Sequence, residues 1–340
     1  MTAPRTVLLT GASGVVGRSL LRTAATGVAA AADLRFVAGV HRGPVPEATG
    51  PTVHCDVSAE RFGLDEDSYA ALADDVDEVV HSAGLTEWGL PIDRYEPVNV
   101  AGTRRVAEFA ERAGAPVHFI STAFVAALAP DAPVPLGAAN VCRNYITSKA
   151  AAERLLRERG LPHTVFRPTN LVGESGTGWT AQGQIVQMMS DWLARGRAPF
   201  VPAHPGVRMD FVAQDLLSLA VLGALAQGDT SGEFWVTYGP EAMDVDGCLR
   251  VLAGHVASRG STLALPPVVD PDGLEGAIEA LPGRARSFMA VLRDVSEVTR
   301  CSGGVLPTSM PLLRERYGVP YVDDTEAYLA SLEYAAEHLA

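Results

Sequence analysis

The chain lacks any surplus of positive charge. Its 27 lysines and arginines are outnumbered by 40 aspartates and glutamates, a formal net charge of −13. A nucleic-acid backbone or an anionic membrane surface would be repelled, so neither is expected as a partner. Paired cysteines are missing too. Cys55, Cys142, Cys248 and Cys301 stand far apart and form no metal-type pair; they are expected to be reduced and buried, which fits a cytoplasmic protein. There is no long hydrophobic run: the most extended apolar stretch, Leu216 to Ala226, is too short to span a bilayer. The residues after Met1 lead at once into a glycine turn, without the pattern of a secretory signal. His41, His54, His118, His163, His204, His255 and His338 show no metal-ligand spacing, and no metal is expected. Repeats and low-complexity linkers are absent as well. What remains is a globular chain of 340 residues, 47% hydrophobic and 20% charged, long enough for one large or two modest domains.

What is present is organised around Thr10 to Gly17, Thr-Gly-Ala-Ser-Gly-Val-Val-Gly. A short apolar run, Thr6 to Leu9, precedes it and an apolar-periodic segment from about Val16 follows, so the context is strand, tight turn, helix. Gly11 permits a turn that a Cβ would obstruct, Gly14 lets the backbone approach a pyrophosphate, and Gly17 lets the helix pack close to the strand. The backbone at Ser13, Val15 and Val16 then faces the phosphates of a dinucleotide, at the positive end of the helix.

Strand-like and helix-like segments alternate through the first half. Leu34 to Val40, Val53 to Asp56, Asp77 to His81, Val117 to Ser121 and Thr164 to Arg167 read as strands two to six. Helices are expected over Asn99 to Arg112 and over Tyr145 to Arg159, the second closed by Gly160 and Pro162. Short apolar strands alternating with helices predict an α/β fold, a Rossmann-type doubly wound parallel sheet with helices on both faces. Beyond Pro168 the alternation fades. Helices are expected over Gln182 to Arg195 and Val212 to Ala226, a strand over Glu233 to Tyr238, and a closing amphipathic helix over Asp323 to Leu339, capped by Asp324 or Thr325. The organisation is therefore read as a dinucleotide-binding domain over residues 1–167 and a smaller substrate-binding region over 168–340, interleaved with it. The ligand should lie across the carboxyl ends of the strands.

Several residues in this frame suit chemistry. Tyr145 and Lys149 are about one helical turn apart and point to the same side. A free tyrosine titrates near ~10, and a nearby ammonium together with an oxidised nicotinamide favours the phenolate and lowers that value. Such a tyrosine can protonate a carbonyl oxygen as hydride reaches the carbon. Ser121 and Thr122 fall at the carboxyl end of strand five, where Thr122 can hold the same oxygen. Asn99 opens a helix and serves there as an N-cap or as part of the site. His81-Ser82-Ala83-Gly84 ends strand four with small residues that let the chain pass close to a cofactor.

The glycine turn, His81 to Gly84, Asn99 to Thr103, Ser121-Thr122, Asn144-Tyr145 to Lys149 and Arg167-Pro168 follow the order and spacing of the extended short-chain dehydrogenase/reductases, which the chain resembles. The resemblance implies a catalytic triad of Thr122, Tyr145 and Lys149, with Lys149 also holding the nicotinamide ribose and Asn99 supporting the lysine or an ordered water. It implies Asp56 and Val57 at the adenine, Ser82, Ala83 and Gly84 near the ribose and phosphates, and Pro168 and Asn170 on the cofactor side. Within the family, Arg167 to Gly178 and Met209-Asp210-Phe211-Val212 followed by Gln214-Asp215 are similar to the thioester reductase and carboxylic acid reductase branch. That branch usually ends a multidomain synthetase, whereas this chain is read as standing alone.

An acidic residue at the end of strand two would select NAD. The chain has Val40-His41-Arg42-Gly43 there, so NADP (NADPH) is expected, with Arg42 on the 2′-phosphate and Arg18 as a second candidate. In the enzymes it resembles, dehydration needs an acidic pair after the threonine, where this chain has Ala123-Phe124, and epimerases retain NAD. The expected reaction is NADPH-dependent reduction of a carbonyl or acyl thioester, the latter presented on a carrier protein or coenzyme A. A nucleotide-sugar epimerase and a non-catalytic NADP sensor are the alternatives. Trp88, Phe124, Trp179 and Met209 either line the substrate pocket or pack as ordinary core, and Met188 and Met189 are expected to fill core. A monomer or a homodimer is expected, the dimer joined through helices near Asn99 to Arg112 and Tyr145 to Arg159.

Overall fold

The first turn of chain already shows why the sheet is buried on both sides. In Arg5–Thr10 (β1), Leu8 points to one face while Val7 and Leu9 point to the other, and all three are fully buried. The computed structural model describes residues 4–339. The other strands are β2 (Leu34–Val40), β3 (Thr52–His54), β4 (Glu78–His81), β5 (Val117–Ile120), β6 (His163–Pro168), β7 (Asn170–Val172), β8 (Val201–Pro202), β9 (Arg208–Met209), β10 (Phe211–Ala213), β11 (Ser231–Val236), β12 (Met243–Asp244) and β13 (Val268–Val269). Seven of them form one parallel sheet in the order β3-β2-β1-β4-β5-β6-β11. The order reverses between β1 and β4, and the crevice at their carboxyl ends is where a doubly wound sheet receives its ligand.

The helices are α1 (Val15–Ala25), α2 (Glu66–Asp75), α3 (Ile92–Tyr95), α4 (Ala101–Ala113), α5 (Arg143–Arg159), α6 (Ile185–Ala194), α7 (Gln214–Gln227), α8 (Val245–Ser258), α9 (Glu275–Glu279), α10 (Gly283–Cys301), α11 (Met310–Tyr317) and α12 (Asp324–His338). Leu8, Val79, Phe119 and Val165 meet α2, α4 and α5 on one face of the sheet. Val7, Leu9, Ile120 and Phe166 meet α1 and α7 on the other. Residues beyond 168 thus supply both a strand, β11, and a helix, α7, to the first unit; the Ser19 and Ser218 hydroxyls join α1 to α7 at 3.0 Å. A third cluster, which includes Tyr95, Phe124, Tyr145, Ile146 and Val298, lies at the carboxyl end of the sheet. Helices α6, α8, α10 and α12 close over that end, tied by the short pairs β7–β10, β9–β12 and β8–β13.

Three expectations are corrected. The helix expected from Val212 starts at Gln214, because Phe211 to Ala213 pair in parallel with Asn170 to Val172, a partner that lies outside any local window. Asn99 does not open a helix: it lies inside a π-helical turn, Glu96–Val100, that runs into α4. The cap of α12 is Asp323, whose carboxylate accepts from Thr325 and Glu326; Asp324 is buried and accepts from the Met243 amide at 2.7 Å instead.

Candidate active site

The backbone leaves β1 through Gly11, whose φ of +69° suits glycine and whose Cβ, if present, would lie 2.6 Å from the Ala83 amide nitrogen. Gly17 is as tightly held, since a Cβ there would stand 2.4 Å from the Gly11 carbonyl oxygen. Gly14 differs. Its Cβ would find only the Gly11 oxygen, at 3.3 Å, and nothing else within 4 Å. Gly14 is the N-cap of α1; no side chain caps that end and no acid stands in the first turn. The Arg18 amide bonds back to Gly14 at 2.9 Å, which leaves the amides of Val15, Val16 and Gly17 ahead of the first helical bond and directed out of the helix end. Ser13 is half-buried beside them. Free donors, helix dipole and open space over Gly14 fit an anionic group such as a pyrophosphate.

The segment that closes on Gly11 leads to the second half of the site. The Ala83 amide donates to Thr10 Oγ1 at 3.3 Å, and His81, fully buried, bridges Thr10 at 2.8 Å and Thr103 at 3.0 Å. Burial, with Lys149 adding to it, pushes the His81 imidazole down to about 3. The ring is therefore neutral, a pin between β1 and α4. Three residues on, a Cβ at Gly84 would stand 3.3 Å from Lys149 Nζ and 3.4 Å from Asn99 Oδ1. Residues Ser82 to Gly84 thus touch the glycine turn at one end and the buried pair Asn99 and Lys149 at the other.

Helix α5 carries Tyr145 and Lys149, both buried, on its inner side. Lys149 Nζ donates to the Ile120 carbonyl at 2.7 Å and lies 4.8 Å from the centre of the Phe119 ring. Burial draws its pKa down to about 8, with Glu153 acting in the opposite sense. Lys149 is also the only lysine in the sequence. The Tyr145 phenol meets the side chain of Thr122, the residue after Ser121 at the end of β5. Burial raises the phenol pKa and the Thr122 hydrogen bond offsets only part of that. Desolvation is the larger effect among the protein's own groups, whereas the expected lowering joins the ammonium to an oxidised nicotinamide and belongs to the cofactor complex. A phenol that holds its proton at neutral pH is suited to donate it. Asn99 acts as a clamp, accepting from the Leu85 amide at 2.7 Å and donating to the Leu85 carbonyl at 3.0 Å and to Ser148 Oγ at 2.8 Å.

Beside this group lies a cleft of about 70 Å³, walled by α6, α8 and α10 and bordered by Trp88, Asn170, Met209, Phe211 and Tyr328. Trp88 packs against Phe124 with ring centres 6.1 Å apart, and the Phe124 amide donates to Thr122 Oγ1 at 3.3 Å. The cleft therefore begins one side chain away from Thr122 and Tyr145.

A NAD-binding family described as male sterility protein matches residues 50–221, half of the chain and the stretch that holds Asp56, Asn99, Thr122, Tyr145 and Lys149. The chain belongs to this family. It stands in the thioester reductase branch of the extended short-chain dehydrogenase/reductases. The isonitrile lipopeptide synthase of Streptomyces coeruleorubidus is 32% identical over 250 residues, 64% of this chain and 17% of the synthase. The chain thus spans less than a fifth of the length of the curated relatives it matches. Among solved structures, the terminal R domain from the myxalamid PKS-NRPS biosynthetic pathway aligns over 100% of this chain and 93% of its own, with a TM-score of 0.72 and 22% identity. WbmG of Bordetella bronchiseptica, in complex with NAD and UDP, aligns over 99% and 96% with a TM-score of 0.66 and 21% identity. Both are likenesses of fold.

In this extended short-chain reductase the remaining expected residues fall in different places. Arg42 is exposed just beyond β2 and makes no ion pair among the described residues. Arg18 is engaged by Glu47 through two bonds of 2.8 and 2.6 Å and lies 5.6 Å from the centre of the Trp179 ring. Asp56 accepts from the Ser58 amide and hydroxyl, while the Val57 side chain is core, packed on Gly102. Pro168 closes β6, paired with Val236. Asn170, expected near the cofactor, borders the apolar cleft. Trp88, Met209 and Met189 line the cleft, whereas Met188 is exposed.

Sequence reasoning missed the chain of contacts behind Lys149. Ser121 Oγ donates to Glu153 at 2.5 Å, and Glu153 pairs with Arg167, itself bound to Glu233. Glu153 lies one turn beyond Lys149 on α5, a spacing that was there to be read. His204, Asp270 and Asp272 also converge from distant segments, with Arg300 Nη1 already 3.1 Å from both His204 and Asp272.

Proposed function

We propose that this family member is an NADPH-dependent reductase of an acyl thioester, or of the aldehyde or ketone related to it, serving a biosynthetic pathway. The observation that carries the reading is that Tyr145, against Thr122, and Lys149, on the Ile120 carbonyl, both reach the end of β5, beside a cleft that no charged side chain lines among the described residues. The amides of α1 would hold the pyrophosphate, Asp56 would face the adenine, Ser82 to Gly84 would border the ribose, and Lys149 would hold the nicotinamide ribose. Arg42, free and exposed where Arg18 is engaged by Glu47, would take the 2′-phosphate with paired charge-assisted bonds. A reduced nicotinamide bound there supplies the hydride.

The chain's own residues do the rest. Thr122 orients the substrate oxygen and the Tyr145 hydroxyl gives it a proton as charge develops. With a thioester, the hydroxyl so formed gives up its proton as the carbon–sulfur bond breaks, and the sulfur takes a proton and leaves as the thiol, giving an aldehyde. Asn99 fixes Leu85 and Ser148, so the wall carrying Lys149 keeps its place. Sugar epimerisation is disfavoured by the cleft itself, since a nucleotide diphosphate would meet no cation in it. The relatives assembled as synthetases support a carrier-bound thioester, with coenzyme A as the free equivalent.

The test follows NADPH absorbance with acyl thioesters, aldehydes, ketones and nucleotide sugars, and identifies products by mass. NADPH oxidation with thioesters or aldehydes is expected. Conversion of a nucleotide sugar with no net NADPH loss would overturn the reading.

A further inference from the structure

We propose that the cleft selects an acyl chain that is apolar and uncharged along its length, and that Leu252, with the Ser190–Tyr328 pair, forms the wall that limits how long that chain can be. The inference rests on the reading of the substrate as an acyl thioester or its aldehyde.

The lining carries it. Met189 and Leu193 from α6, Leu249 and Leu252 from α8, and Val291 and Leu292 from α10 present only hydrocarbon and sulfur to the cleft. Two of its few polar groups satisfy each other, for Ser190 Oγ and the Tyr328 hydroxyl are 2.7 Å apart. No charged side chain borders it among the described residues. A carboxylate or ammonium drawn into such a space would lose its water and find no charged partner. A saturated chain loses nothing and gains the burial of every methylene.

The direction of the chain follows from which residues border what. Trp88 and Val295 belong both to the cleft and to the cluster around Phe124 and Tyr145, so the reacting end lies there. Ser190 and Leu252 border the cleft on one side and, on the other, a second depression with Asp191, Arg195 and His255. They form a partition between an apolar space and a polar one. A chain entering from the Tyr145 side ends against that partition.

The experiment uses the whole protein. NADPH turnover is measured with saturated acyl thioesters of coenzyme A from acetyl to hexadecanoyl, and with ω-carboxylated acyl thioesters of matched length. Calorimetry with primary alcohols from butanol to dodecanol reads binding independently of turnover. Expected are a rise in kcat/KM of about fourfold per added methylene up to an optimum, then a fall, and at least a tenfold lower value for each ω-carboxylate. The alcohols should bind more tightly with length and with a negative heat-capacity change. Leu252→Phe should move the optimum to shorter chains and Leu252→Ala to longer ones. A flat length profile, an ω-carboxylate as good as its parent, or an unmoved optimum in a folded variant overturns the inference. If no thioester or aldehyde consumes NADPH, the proposed function fails, and the alcohols alone decide the cleft: length-dependent binding upholds it and none refutes it.

Discussion

At the scale of single residues the site depends on two side chains whose states are set by burial and on one exposed arginine. Tyr145 is held protonated, so Tyr145→Phe should keep NADPH affinity and lose about a hundredfold or more in kcat, the usual contribution of a positioned acid. Undiminished turnover in that variant would mean another donor. Lys149 is drawn down to about 8 by burial. If its ammonium is the working form, kcat/KM falls as pH rises through about 8 in the free enzyme. Because Lys149 is the only lysine, protein labelled with carbon-13 at lysine Cε gives one side-chain signal, and its NMR titration reads the group directly; a midpoint near the ordinary lysine value would contradict the burial argument. Arg42→Ala should weaken NADPH about tenfold or more and leave NADH unchanged, the size of a lost charge-assisted contact. Fluorescence titration of both cofactors checks it, and equal losses would remove Arg42 from the 2′-phosphate.

At the scale of elements, the strand β10 and the turn after β11 are joined by one carboxylate. Asp210, just before β10, accepts from the Tyr238 and Gly239 amides at 3.1 and 2.8 Å. Burial pushes its carboxyl up to about 7, the two amides acting the other way and Asp324 adding to the rise. A carboxyl whose folded pKa exceeds its unfolded one binds more protons in the folded state. Its stabilisation is full below about 4 and is lost as pH rises through about 7. Urea unfolding should therefore show a decline of a few kcal/mol, in order of magnitude, across that window, and Asp210→Asn should flatten it. An unchanged slope in the variant would assign the decline to other groups.

At the scale of the whole molecule, the outward faces of α4 and α5 decide between monomer and dimer. They expose Arg104, Glu108, Glu111, Arg154 and Glu158, and Arg159 bonds to Glu111 at 2.8 Å and approaches Glu108 at 3.5 Å. Permanent dimer interfaces are apolar and depleted of charge at their centres. A monomer is therefore expected, with a light-scattering mass near 35.8 kDa; twice that mass at micromolar concentration would refute it. No helix among the described residues is long and apolar enough to cross a membrane.

The sequence alone determined what local periods and local sterics control. β2 falls at Leu34–Val40 as expected because an apolar run bounded by polar residues has one reading in a covered sheet. Gly11, Gly14 and Gly17 were legible because only glycine meets the close approaches at 2.6 and 2.4 Å or keeps the space over the helix end open. Tyr145 and Lys149 were legible because the helical period puts them on one side. Only the tertiary structure decided the rest. Val212 became a strand because Leu171 came to lie beside it, and Asn99 became a clamp because Leu85 and Ser148 closed around it. Arg18 was taken by Glu47. The Tyr145 phenol is raised because the fold buries it, which no local spacing shows. The cleft is assembled from α6, α8 and α10. Each of those helices shows in sequence only an apolar stripe, and whether such a stripe meets core or an open space depends on segments a hundred residues away.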